Sequence, residues 1–159
     1  MVDEGDEAPD FTVPLARDEV EPFTLSAHLD EAPIVLAFFP GAFTSVCSGE
    51  MRTLRDRMDA FAEAGATVYG ISVDSPFSLQ EFREQEDLNF GLLSDSNRDV
   101  VEAYDVSTDF DALAYQNVAE RAVFVIDEHR EVAFRWVGED VTKEPDYDEL
   151  EEAAAEAAA

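Results

Sequence analysis

The sequence predicts an α/β fold with a central mixed β-sheet flanked by helices. Two nearly continuous apolar runs, Ile34 to Phe39 and Thr67-Val68-Tyr69-Gly70-Ile71-Ser72-Val73, suit central parallel strands covered on both faces. Between them Met51, Leu54, Met58 and Phe61 recur at spacings of three and four, which puts one apolar stripe on a helix. A strand, a helix and a strand of this length make a βαβ unit, expected to be right-handed. The chain has 159 residues, 46% of them apolar, enough for one compact core. No internal repeat and no Pro/Gly/Ser-rich linker divides it, so residues 1–159 read as one domain.

In chain order, short strand-like pieces come first, around Phe11-Thr12-Val13 and Pro22-Phe23-Thr24-Leu25, separated by an acidic turn. After the first central strand and its helix, Gly65 sits where a helix can end. Ser75-Pro76 reads as an N-cap followed by proline at the first helical position, with Leu79 and Phe82 facing inward. Phe90 to Leu93 forms a short strand, and Ser96-Asn97-Arg98-Asp99 resembles a capping box opening a helix through Val100, Val101 and Tyr104. Ala122 to Ile126 and Val132 to Val137, separated by Asp127-Glu128-His129-Arg130, predict a hairpin. The Glu/Ala-rich ending predicts a helix over about 146–157 whose last residues fray.

There are 38 Asp and Glu against 10 Lys and Arg, a formal charge of −28, and every cation except Lys143 is arginine. Phosphates need a basic patch, so nucleic acid is excluded as a partner. The acids are spread along the whole chain. Such dispersal with a single lysine fits a halophilic protein kept soluble in a cytoplasm of molar salt, and at low salt the charge should destabilise the fold. A strongly acidic mesophile protein is the alternative. Met1-Val2-Asp3-Glu4 lacks the regions of a signal peptide, and the run Ile34 to Phe39 is too short to span a bilayer. One cysteine forms no internal disulfide. A soluble, cytoplasmic protein with no membrane partner is expected.

That cysteine is the candidate reactive group. The segment Phe38-Phe39-Pro40-Gly41-Ala42-Phe43-Thr44-Ser45-Val46-Cys47 runs off the end of the first central strand into the helix, where open α/β sheets place reactive groups. With Thr44 or Ser45 as the cap, Cys47 lies in the first turn, where free N–H groups and the helix dipole favour a thiolate. Glu50 follows three residues later, expected in the same turn, and its charge opposes a thiolate. A cation must then approach. At molar salt the Debye length is only ~3 Å, so direct contact is required. Arg121, Arg52 and Arg98 are the candidates, and the residues alone do not choose among them.

Pro40-x-x-x-Thr44-x-x-Cys47 matches the PxxxTxxC motif of the peroxiredoxins, preceded by apolar Leu36-Ala37-Phe38-Phe39. Gly70-Ile71-Ser72-Val73-Asp74, Leu92-Leu93-Ser94-Asp95 and Arg121-Ala122-Val123-Phe124-Val125-Ile126-Asp127 follow in the family's order, and the resemblance runs from Ala8-Pro9-Asp10-Phe11 to Val137. Cys47-Ser48-Gly49-Glu50 is similar to the corresponding stretch of the one-cysteine AhpE-like group. The resemblance implies a thioredoxin-like fold and a thiol-dependent peroxidase acting on hydrogen peroxide and alkyl hydroperoxides, without cofactor or metal. It casts Cys47 as the peroxidatic nucleophile, Thr44 as the hydroxyl orienting the peroxide, and Arg121 as the cation stabilising the thiolate and the breaking O–O bond. Pro40 would shield the site from water and Glu50 would orient an arginine. With no resolving cysteine, attack leaves a sulfenic acid, so an external thiol, small or protein-borne, or a transient disulfide between chains must recycle it. A homodimer or higher homo-oligomer is implied as well.

Two other functions compete. A thioredoxin-fold redox-sensing or binding module would keep Cys47 as an interaction thiol without turnover. A cysteine hydrolase would need His28 or His129 as base, and neither stands in a Cys–His signature. One Cys and two distant His do not give zinc-ligand spacing, and no EF-hand loop, phosphate loop or dinucleotide fingerprint is present.

Overall fold

The structure is a computed structural model and describes residues 2–159. The first central run forms β3 (Ile34–Phe38), every residue of which is buried. Ile34, Leu36 and Phe38 enter one apolar core, while Val35, Ala37 and the following Phe39 enter another on the opposite face. This alternation explains the unbroken apolar run: period two with both faces covered leaves no polar position. The second run forms β4 (Thr67–Ser72), parallel to β3 with Phe38 opposite Ile71.

Around this pair are β1 (Thr12–Ala16), β2 (Val20–Thr24), β5 (Gly91–Ser94), β8 (Ala122–Ile126) and β9 (Val132–Val137). They complete a seven-stranded mixed sheet in the order β2-β1-β5-β4-β3-β8-β9. β8 and β9 are the expected antiparallel hairpin. On one face lie α1 (Ser45–Asp56), α2 (Met58–Glu63), α3 (Pro76–Gln85) and α5 (Tyr147–Ala158), which supply Met51, Leu54, Phe61, Leu79, Phe82, Leu150 and Ala154 to the core. On the other lies α4 (Asp99–Ala103), which supplies Val100 and Val101.

Two local expectations change. The helix after β3 is interrupted at Arg57, with no proline or glycine to mark the break; there the Arg57 guanidinium bonds Asp148 and Glu151 of α5. The capping box at 96–99 does not form. Arg98 adopts a left-handed conformation, and the chain curls back so that Asp95 caps α4, its two carboxylate oxygens accepting the N–H groups of Val100 and Val101 at 3.0 and 2.8 Å. A carboxylate offers two acceptors and a charge at the positive end of the helix, which a serine hydroxyl cannot match. The segment 107–119, without a sequence signal, folds as the hairpin β6 (Ser107–Phe110) and β7 (Tyr115–Ala119); Asp109, Asn117 and a left-handed Ala114 hide its strand character. The last helix, α5, spans Tyr147–Ala158. The Ser75 cap on Pro76, in contrast, stands as expected, with Ser75 Oγ accepting the Ser78 N–H at 3.2 Å.

The order β4-β3-β8 brings three chain ends together. The carboxyl end of β3 lies beside the carboxyl end of parallel β4 and opposite the start of antiparallel β8, where Phe38 pairs with Ala122. Phe124 of β8, fully buried, packs its ring on Phe38 at 5.7 Å and Tyr104 at 5.2 Å. Phe124→Ala should therefore cost about 3–5 kcal/mol of unfolding free energy, read from urea denaturation; a loss under about 1 kcal/mol would contradict this packing.

Candidate active site

Leaving β3, the chain turns through Pro40 and Gly41, both buried, and reaches Thr44, the N-cap of α1. Thr44 has the extended backbone of a cap, yet its hydroxyl makes no cap bond; Oγ1 donates to the Gly41 carbonyl at 3.1 Å instead. With its proton so engaged, the oxygen keeps lone pairs free to accept a bond from a ligand. Phe43, between them, has a positive φ of 68° and sets its half-exposed ring edge-on to Phe82 of α3 at 5.3 Å. A non-glycine residue in this region costs of order 1–3 kcal/mol and persists only where its surroundings hold it.

Cys47 is the third residue of α1 and 1% exposed. Glu50 is the sixth residue of α1 and falls in the second turn rather than the first; a cap at Thr44 or at Ser45 alike puts it there. The spacing of three still puts both side chains on one face, toward Arg121. Arg121 stands just before β8 and is itself 1% exposed. Its Nη2 donates to Cys47 Sγ at 2.9 Å, its Nη1 to Glu50 Oε1 at 2.5 Å, and its Nε to the Val141 carbonyl at 2.9 Å. Of the three arginines considered, this one reaches the sulfur. Arg52 pairs with Glu86, and Arg98 bonds the carbonyls of Ser96 and Gln116. The Val141 carbonyl had no signal in the sequence, since any residue supplies one.

Burial lowers the affinity of Arg121 for its proton, but Glu50 and Cys47 outweigh it and the guanidinium stays firmly charged. Burial pushes the Glu50 carboxyl up to about 7 against the pull of Arg121, and Glu144 pushes the same way. The second oxygen of Glu50 is buried with no hydrogen-bond partner. The two histidines are engaged elsewhere. His28 Nδ1 lies 2.8 Å from the Thr24 carbonyl, with its ring stacked on Phe23, and His129 sits in the β8–β9 turn beside Glu128. Among the described residues no group of three or more His, Cys, Asp or Glu is placed to hold a metal ion.

A cysteine at a helix start, over the carboxyl end of a central strand and against a buried guanidinium, defines a thiol-redox protein of thioredoxin-like architecture. The family model of the AhpC/TSA family matches residues 4–135, and the chain belongs to that family. Peroxiredoxin Bcp of Escherichia coli is 37% identical over 125 residues, covering 77% of this chain and 78% of its own. A chloroplastic 2-cysteine peroxiredoxin of Chattonella marina is 36% identical over 131 residues, and this chain spans 64% of its length. Among solved structures, peroxidoxin BcpB of Mycobacterium tuberculosis superposes with a TM-score of 0.84 at 30% identity, covering 99% of this chain and 98% of that one.

The raised Glu50 carboxyl fixes a pH dependence. Its folded value lies above the ordinary 4.5, so its contribution to stability is present below about 4.5 and is lost as pH rises through about 7. The groups facing it are Arg121, Glu144 and Tyr147. Comparing Glu50 with Glu50→Gln in a Cys47→Ser background cancels the other carboxylates. Stability of the glutamate form relative to the glutamine form should fall between pH 4.5 and 7; a difference flat in pH would contradict the assignment.

Proposed function

We propose that the chain is a thiol-dependent peroxidase reducing hydrogen peroxide and alkyl hydroperoxides through Cys47 alone. The observation that carries this is the 2.9 Å contact of Arg121 Nη2 with Cys47 Sγ at the start of α1. The guanidinium and the free N–H groups of the helix stabilise a thiolate, and the same donors face the oxygen on which charge develops. The thiolate attacks one peroxide oxygen; the S–O bond forms as the O–O bond breaks, and the expelled oxygen takes a proton and leaves as water or an alcohol. Thr44 Oγ1, its own proton held by Gly41, accepts the peroxide hydrogen and aligns it. Pro40, buried at the start of the same loop, keeps water from the sulfur, and Glu50 holds the guanidinium through Nη1.

The product is a Cys47 sulfenic acid. With no second cysteine in the chain, an external thiol attacks that sulfur and expels water, and a second thiol releases Cys47 from the mixed disulfide. Membership of the AhpC/TSA family supports a peroxidase over a sensing or binding module, as does the Thr44 hydroxyl, left free to accept at the cap of the helix that carries Cys47.

Stopped-flow oxidation of Cys47 by hydrogen peroxide in molar KCl tests the function. The wild type should react orders of magnitude faster than a free thiol, and Thr44→Val and Arg121→Ala should each lose about 100-fold or more. A free-thiol rate in all three would leave the binding-module reading in its place.

We also propose a salt-rich cytoplasm and at least a homodimer. The first rests on a charge of −28 against which most arginines are already paired, as in Arg52–Glu86, Arg57–Glu151 and Arg130–Glu7. The melting temperature should rise with KCl well beyond the range of simple screening, and a salt-independent melt would contradict it. The second rests on the family and on Phe43, Phe77 and Leu113, large apolar side chains left exposed. A monomer mass by light scattering in molar KCl would overturn it.

A further inference from the structure

The motifs Gly70-Ile71-Ser72-Val73-Asp74 and Leu92-Leu93-Ser94-Asp95 end β4, which lies beside β3, and β5, the next strand out, and nothing in the proposed chemistry uses them. Their polar residues converge on the active-site loop. Asp74 Oδ2 accepts the Ala42 N–H at 2.8 Å and the Ser72 hydroxyl at 2.7 Å. The Asp74 carbonyl accepts the Ser94 hydroxyl at 2.6 Å, its N–H points at Ser72 Oγ at 3.3 Å, and the Asp95 N–H closes on the Ser72 carbonyl at 2.7 Å. Ser72 and Ser94 are buried, so each hydroxyl must find a partner inside the protein, and each finds Asp74. The bracket is built from two neighbouring strand ends and has one bond across to the loop after the third.

That bond falls at a telling place. Ala42 lies between Pro40 and Thr44, next to the strained Phe43. Ala42 opens the turn Ala42–Phe43, and its N–H is answered by the Asp74 carboxylate, a strong acceptor. The same segment of chain holds Phe43 through Phe82. We infer that Asp74 is a positioning residue, which through the Ala42 N–H sets the loop that presents Thr44 to a peroxide at Cys47. This rests on the peroxidase reading and adds to it a residue that touches neither the sulfur nor the guanidinium.

The experiment compares wild type, Asp74→Ala and Asp74→Asn in three measurements: the rate of oxidation by hydrogen peroxide, the pH profile of Cys47 alkylation by iodoacetamide, and thermal unfolding. Both donors converge on one oxygen, so an asparagine amide oxygen still accepts them, and Asp74→Asn should keep the peroxide rate within a few-fold. Asp74→Ala should lose about 10- to 100-fold toward peroxide, the scale of a 1 Å misplacement. Its alkylation profile should stay as in the wild type, because the Arg121–Cys47 contact does not run through the loop. A folded Asp74→Ala with the wild-type peroxide rate, or one whose alkylation profile changes along with that rate, would overturn the inference. A wild type no faster than a free thiol would instead sink the peroxidase reading and this one with it. Should Asp74→Ala not fold, amide exchange in the wild type decides: the Ala42 N–H should be protected, and exchange at the rate of an open loop would overturn the bond on which all of this depends.

Discussion

Everything at this site hangs on one buried guanidinium. Arg121 is nearly without solvent, and a cation there is tolerated only because its donors are answered by a carboxylate, a sulfur and a carbonyl in three directions. A lysine could not do this, since its point charge lacks the planar fork that holds Cys47 and Glu50 on separate nitrogens. The topology makes the meeting unavoidable. β3 and β8 run antiparallel, so the residue before β8 lies beside the residues that follow β3, and the helix grown from that loop carries Cys47 and Glu50 to it.

The arrangement contains a tension that organises its chemistry. Two groups able to carry negative charge face a single cation, in a pocket where a second charge is costly. Burial acts on the carboxyl more strongly than the ion pair does, which is why Glu50 sits near 7 despite its contact with Arg121. Below that value the guanidinium serves the sulfur with less competition; above it, the carboxylate claims a share. Of the surrounding acidic shell, exposed Glu144 enters this balance by pushing Glu50 up. Exposed charges are screened within ~3 Å at molar salt, whereas contacts buried under α1 are not. A protein of charge −28 can thus be tuned for solubility on its surface without disturbing an anionic reaction inside.

The sequence made the β3–α1–β4 unit legible because its strands are buried on both faces, which leaves a run with no polar interruption. Cys47 at the helix start was legible for a related reason, since position in a strand–loop–helix junction can be counted along the chain. What escaped depends on the chain folding back. The Asp95 cap of α4 needs a left-handed Arg98, and the hairpin at 107–119 breaks its own pattern with Asp109 and Asn117. The partner of the sulfur could not be read from the residues alone. Arg52, Arg98 and Arg121 are equivalent in composition, and only the family resemblance or the fold separates them, because the contact spans 74 positions of chain.

The loop from Pro40 to Thr44 shows why such a site needs more than its reacting residues. Phe43 is held in a conformation that a free chain would abandon, so the stored strain must be opposed by neighbours. They are the aromatic contact with Phe82, the Thr44–Gly41 bond and the Ala42–Asp74 bond, drawn from α3, from the loop itself and from the end of β4. Holding the loop this firmly costs stability, and the return comes only in the reaction. In the proposed peroxidase, a Thr44 hydroxyl fixed in place before a peroxide arrives would lose no orientational freedom when it binds, so its hydrogen bond would count in full toward the transition state. A sheet whose central strands are rigid on both faces is the scaffold that lets three strand ends share that task.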